Sequence, residues 1–433
     1  MSKELCDIAS FVLGLAKEKG AQKAFCSISE SEEKEFNVDG GTFSLFRTLF
    51  DRSVSLTVFK DDKKGSVSVN KFDEDSLCHL ADNAVRAAES SNPDTSWEIA
   101  ENIGKREFSE GCFECDTDRL FDRTKEFLED IKTRHPKIMT EQMIVSHTKI
   151  KTLYKSTTGN EYNTEKGAYG VSVMYSAHEV EKSSSFNGSD ATFCDLDRPF
   201  IELAMFEQDF KDIERQIETV PVKGKFVGKV VFTPACLAGI IWSICGNFAS
   251  DGVLLDGTSI WKDKLSQKVA DERINVSFRP HDKRIVCGQN YTSEGYIAED
   301  FDFIKNGVLE SFLLSRYVAN KTGLPMAKNS SSSMIIENGR TPVADIIKSI
   351  DKGIIVGRFS GGQPGTNGEF SGVAKNSFLI ENGKIVSATS ETMISGNLAD
   401  MLNNLYDISK ETLEDGDISL PYMAFDGITV SGK

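Results

Sequence analysis

Apolar residues open the chain at helical spacing. Leu5, Ile8, Ala9, Val12, Leu13 and Ala16 fall on one side, with Ser2 as a cap and Gly20 as a stop. This predicts a helix over 3–19 with one buried face. The pattern then shifts to short β-type runs at 24–28, 53–59 and 66–69, the last two joined by a Lys63-Lys64-Gly65 turn. Leu77, Leu80, Ala81, Ala84 and Val85 restore the helical period over 74–90. Residues 1–105 thus read as an α+β domain, and Asn92-Pro93-Asp94 with the polar stretch to Gly111 as a linker. A central α+β domain over 110–220 follows. It has a helix at 117–134 on Leu120, Phe121, Thr124, Phe127, Leu128 and Ile131, strands at 139–149, 152–156 and 169–176, and a long helix over 199–218.

Beyond Pro221, Gly224 and Gly228 the pattern is dominated by strands. A strand at 226–232 leads into an apolar helix at 235–248. Further strands are predicted at 275–278, 295–306, 307–314, 353–358, 377–380 and 384–388. Asn306-Gly307, Asn338-Gly339 and Asn382-Gly383 supply the dipeptide that suits tight hairpins. The predicted fold class is α+β: two mixed modules, then a strand-rich, antiparallel, barrel-like domain over 222–433.

Composition narrows the function classes. A chain of 433 residues exceeds one compact core. With 39% hydrophobic and 27% charged residues it is globular rather than disordered. No apolar run approaches the roughly 20 residues a membrane helix needs, and the first residues lack a basic, then apolar, leader, so a cytoplasmic location is expected. The net charge is −16, and the tightest basic group, Lys60, Lys63 and Lys64, is broken by Asp61 and Asp62. Direct nucleic-acid binding is disfavoured. Nine scattered cysteines read as reduced thiols. The single pair Cys112 and Cys115 cannot by itself complete a four-ligand zinc site.

Candidate chemistry is sparse. Gly361 to Gly372 is the most patterned block, yet no Gly-Lys-Ser/Thr closes it, and the segment after it reads strand-turn-strand. Its glycines point to tight turns rather than to a phosphate loop. Five histidines are present, and His178-Glu179 is the one His-Glu pair, with no second His in the ten residues after it. There is no Gly-x-Ser-x-Gly elbow. The residues alone therefore present no catalytic constellation.

Four stretches nevertheless resemble one family. Gly361 to Ser371 with Phe378 to Ile385 is similar to the glycine-rich signature and Leu-Ile-Glu-Asn-Gly hairpin of TldD/TldE proteins. Lys305 to Leu314 with Tyr317, Ala319 and Gly323, the Ile394-Ser-Gly-Asn-Leu398 segment, and Val230 to Val269 resemble further family segments in the same order. TldE members are also called PmbA, and the family carries the name modulator of DNA gyrase. In TldD proteins the helix here carries His-Glu-x-x-x-His. Laid on this chain, Trp242 falls at the first His, Ser243 at the Glu and Asn247 at the second His. The tail 413–421 has no counterpart of the TldD cysteine ligand. The resemblance thus implies a TldE-type, non-catalytic subunit that holds no zinc or other cofactor. It implies a heterodimer with a zinc-bearing TldD-type subunit and unfolded peptides as substrate; a homodimer is compatible with the shared fold. Trp242 and Cys245 are expected to pack in the core. Gly361, Gly362, Gln363, Gly365, Asn367, Gly368 and Phe370 are the candidate interface or peptide-channel loop. Two other readings stay open: a self-sufficient metallopeptidase using His178, Glu179 or His281, and a regulator of DNA gyrase.

Overall fold

The computed structural model describes residues 3–390 and 392–433, so the expected Ser2 cap lies outside the described residues. Three helices lie where the apolar period places them: α1 (Lys3–Glu18), α2 (Glu74–Ser90) and α3 (Thr117–Arg134). Asp73 caps α2, its carboxylate accepting from the Ser76 amide at 2.9 Å, and Asp116 does the same for α3 through Arg119 at 3.0 Å. Leu77, Leu80, Ala81, Ala84 and Val85 of α2 are all buried. On α3 the stripe is narrower than expected, because Phe121 stays 37% exposed and packs on Phe43 instead.

These helices cover one curved sheet. Its strands are β1 (Lys23–Asp39), β2 (Thr42–Lys60), β3 (Lys63–Val69), β4 (Lys105–Gly111), β5 (Ile138–Ser156), β6 (Glu161–Glu179), β7 (Lys182–Ser183) and β8 (Asn187–Phe193). The order is β3-β2-β1-β5-β6-β4, with β7 and β8 also on β6. β1 pairs with β5 from Phe25↔Ser156 to Asp39↔Gln142, so hydrogen bonding runs unbroken between the 1–105 and 110–220 segments. Two apolar clusters lie on this sheet, one under α1 and α2 and one under α3, and each crosses the segment boundary: Leu153 joins the first, and Phe36 and Val38 join the second. The 92–111 stretch is not linker throughout, since β4 runs parallel to β6. The helix expected over 199–218 is a short turn at Phe200–Glu202 followed by α4 (Phe206–Glu214). Ala204 at φ 46 interrupts it, a conformation a right-handed helix cannot contain.

The second sheet contains β9 (Thr219–Pro221), β10 (Lys225–Phe232), β11 (Val276–Phe278), β12 (Phe301–Lys305), β13 (Val308–Leu309) and β14 (Met334–Ile336). It continues with β15 (Lys352–Ser360), β16 (Glu369–Glu381), β17 (Lys384–Ser390), β18 (Thr392–Asn397), β19 (Leu405–Glu414) and β20 (Ser419–Ser431). The pairings β10 with β15, β15 with β16, β16 with β18, β18 with β20 and β20 with β10 form a ring. The barrel-like expectation is thus met by a closed five-stranded barrel, which leaves no free edge within the ring. Asn306-Gly307 and Asn382-Gly383 are left-handed pairs, φ 47 and 74, then 49 and 72, that join β12 to β13 and β16 to β17. Asn338-Gly339 makes no hairpin. Gly339 donates to the Ser409 carbonyl at 2.8 Å, and a Cβ there would lie 2.0 Å from the Ile408 carbonyl oxygen, so this glycine serves close backbone approach.

Candidate functional site: the outer face of one helix and its glycine loop

The helix after β10 is α5 (Pro234–Ile244), continued by a wider π turn at Cys245–Ala249. Thr233 caps it and Pro234 occupies its first turn. Cys236, Leu237, Ile240, Ile241 and Ile244 are buried against the barrel interior, where the cluster includes Val230, Phe232 and Phe425. The opposite face is lined by small side chains. Ala235, Gly239 and Gly246 are exposed there, and Ser243 and Asn247 are half-buried. Cys245 is buried, as expected. Trp242 is not in the core: it is 38% exposed, its ring lies 5.6 Å from that of Phe278, and it borders a cleft of about 330 Å³. The helix turns by about 100° per residue, so Trp242 emerges beside the apolar stripe rather than within it.

The polar groups on this face are engaged by the helix itself. Ser243 Oγ donates to the Gly239 carbonyl at 2.9 Å, and Asn247 Nδ2 donates to the Ser243 carbonyl at 2.9 Å. An indole, an alcohol and an amide are not a zinc donor set, so the residues at these three positions do not fit that metal. Among the described residues no group of three or more His, Cys, Asp or Glu side chains is gathered to hold a metal ion. The alternative ligands are dispersed. His178 contacts Ser176 Oγ at 2.8 Å, Glu179 accepts from Lys137 Nζ at 3.0 Å, and His281 Nε2 lies 2.9 Å from the Ala298 carbonyl. Burial raises both thiols of the Cys112/Cys115 pair, Cys112 to about 11, the opposite of what a reactive thiolate needs.

The glycine block forms the turn from β15 to β16. Gly361, Gly362 and Gly368 take φ values of 85, 51 and 84. Asn367 Oδ1 accepts from the Glu369 amide at 3.1 Å, and Asn397 Nδ2 donates to the Asn367 carbonyl at 2.9 Å. Gly368 sits where a Cβ would come 3.0 Å from the Phe248 ring, and Phe370 is buried with its ring edge-on to Phe359. Gly362, Asn367, Gly368 and Phe370 therefore anchor the loop on the barrel and on the end of α5. Gly361 and Gln363 reach further. With Gly239, Ser243, Arg358 and Phe359 they line a cleft of about 390 Å³. The structure thus brings the loop and Ser243 into one cleft, places Trp242 on a separate one, and keeps His178, Glu179 and His281 apart from both.

Four lining residues had no signal in the sequence. Arg358 stands alone in a strand, and Asn187, Asn376 and Asp209 come from three different elements. A second cleft of about 350 Å³ shares Asn187, Gly188, Ala235 and Gly357 with the first and holds Asp209 and Asp212 of α4. Asp209 accepts from Ser189 Oγ at 2.7 Å, and protein packed around its carboxyl pushes its pKa up to about 7. An unfolded Asp titrates near about 4. The folded state therefore holds this proton more tightly, and its stability falls as pH climbs from about 4 to 7. Asp209→Asn keeps an acceptor for Ser189 without the buried charge. Thermal unfolding should show the variant a few degrees more stable at pH 8 and unchanged at pH 4; equal melting at both would reject a buried charge.

Comparison with known proteins places this architecture. Residues 224–432 match the PmbA/TldA metallopeptidase C-terminal domain, and residues 26–88 match PmbA/TldA metallopeptidase domain 1. The chain belongs to the TldD/TldE (PmbA) family. The crystal structure of TldE from Thermococcus kodakarensis superimposes with a TM-score of 0.86, covering 99% of this chain and 100% of that one at 20% identity. That likeness establishes the fold. The PmbA metalloprotease homolog of Haemophilus influenzae is 21% identical across 100% of this chain and 97% of its own length. The PmbA metalloprotease homolog of Buchnera aphidicola is 30% identical over 193 residues, 44% of this chain and 43% of that protein. Among the described residues of this TldD/TldE member, no helix is long and apolar enough to cross a membrane.

Proposed function

We propose that this chain is the metal-free subunit of a heteromeric TldD/TldE-type zinc metallopeptidase acting on unfolded peptides in the cytoplasm. The observation that carries the proposal is the outer face of α5. Where the family resemblance sets two imidazoles and a glutamate, this helix presents Trp242, Ser243 and Asn247, two of them hydrogen-bonded into their own backbone. Hydrolytic chemistry would then reside in a TldD-type partner, and this chain would supply cavity wall and interface.

A surface for such a partner is offered by the β1–β2 ribbon. Leu45, Phe46, Leu49 and Phe50 are all exposed, Phe50 by 76%. Alternation along β2 puts Phe46 and Phe50 on one face and Leu45 and Leu49 on the other. A ribbon apolar on both faces gains by being covered. The same surface would serve a homodimer.

Reconstitution tests the proposal. This chain and a TldD-type subunit, co-expressed, should purify as one complex. The complex should cleave an unfolded peptide, with the activity lost on chelation, while this chain alone cleaves none. Separate elution of the two chains, with full activity in the partner alone, would contradict a subunit role.

A further inference from the structure

Arg358 lies on β15, three residues before Gly361, and among the described residues is the one charged side chain lining the 390 Å³ cleft. Its Nη2 donates to Ser185 Oγ at 2.9 Å, and its guanidinium stacks 4.4 Å from the centre of the Phe186 ring. Both contacts fix the head group, and neither neutralises it. Its Nε is enclosed with no hydrogen-bond partner, and Nη1 is neither bonded nor enclosed. Among the described residues no carboxylate forms an ion pair with it. Desolvation without a counter-charge holds its pKa below the ordinary arginine value. Nearby, in the adjoining cleft, Asn376 is 8% exposed, its Oδ1 has no partner, and its backbone takes φ 50 within a strand. A half-buried cation without a counter-ion is costly, as is a buried amide oxygen without a donor. Both sit on one continuous groove, which has a floor of Ala235, Gly239 and Ser243.

Unpaired polar groups of this kind on a groove can be completed by an incoming ligand. A fixed guanidinium is suited to carboxylates, which it binds through charge-assisted hydrogen bonds. The small floor residues leave room for a main chain to lie along α5. We propose that Arg358 receives a carboxylate of a peptide lying in this groove. The site rests on the reading of the chain as a peptide-handling subunit. The carboxylate could be the peptide's C-terminus or an acidic side chain.

The test is fluorescence anisotropy on the purified full chain with three labelled unstructured peptides. One has a free C-terminus and no Asp or Glu. The second is its C-terminal amide. The third is the amide with one internal Glu. The free acid, or the Glu-bearing amide, should bind about tenfold tighter than the plain amide, the scale of one charge-assisted contact. Whichever binds tighter identifies the source of the carboxylate. Arg358→Gln should erase the difference between the three peptides. Arg358→Lys, with charge but no fork, should keep part of it, which separates recognition from misfolding. Equal binding of all three peptides, no binding of any, or wild-type behaviour of Arg358→Gln would overturn the proposal. No partner or hydrolysis enters this assay, so its failure is distinct from a failure to form the peptidase complex.

Discussion

Replacing Gly362 by alanine should cost the barrel several kcal/mol, at least three times the cost of the same change at Gly361. At Gly362 the backbone takes φ 51, and an added Cβ would stand 1.5 Å from the Ser371 carbonyl oxygen. Ser371 cannot retreat easily, because β16 is paired there to β18 through Ser371↔Ser395 and Gly372↔Ile394. Either the loop detaches or the barrel ring opens at that pairing. At Gly361 the φ is also positive, 85, but nothing lies within 4 Å. Its cost is therefore the conformational one alone, about 1 kcal/mol. A steric clash with paired backbone belongs to the rarer, larger class of losses, about 4 kcal/mol or more. Denaturant unfolding of both variants measures the contrast, and similar midpoints would mean that the loop does not hold the described conformation.

A double change on the ribbon, Leu49→Ser with Phe50→Asp, should weaken association with a TldD-type partner by about thirtyfold or more, the loss expected for central aromatic anchors. The chain's own melting temperature should barely move, because exposed positions away from packing usually change stability by less than about 0.5 kcal/mol. Phe46 is a poorer choice for this purpose: its ring stacks 4.6 Å from that of Phe36 and supports the ribbon itself. Analytical ultracentrifugation of the mixed subunits reads the effect, and undiminished association would move the interface elsewhere on the molecule.

What the sequence disclosed follows from how local each feature is. α2 and α3 were legible to the residue from their apolar period; the Asp73 and Asp116 caps that fix their starts emerge in the structure. The outer halves of β1 and β2 were not. Residues 29–34 are polar in series and only half-buried, so no buried face imprints an alternation on them. Their pairing is fixed by neighbours more than a hundred positions away on β5. β18 and β20 close the barrel through partners on β10 and β16, information that no short window contains. The glycine block was recognisable as turns. Which glycine faces backbone, and which opens on the cleft, depends on where β16 and α5 lie. Asn376 shows the limit most plainly: nothing around it announces a left-handed residue inside a strand.

The resemblance sets Trp242, Ser243 and Asn247 against the TldD zinc motif, but it did not disclose where Trp242 lies: the residue turns outward and borders a cleft. The cleft beside Ser243 persists, and Arg358 gives it a charge.

The most direct test of the account uses the isolated-chain arm of the reconstitution. The purified chain, dialysed against zinc and then washed, should retain far less than one zinc per chain by elemental analysis and should leave an unfolded peptide intact. Stoichiometric zinc held by the 234–249 segment, together with chelator-sensitive cleavage by this chain alone, would contradict it.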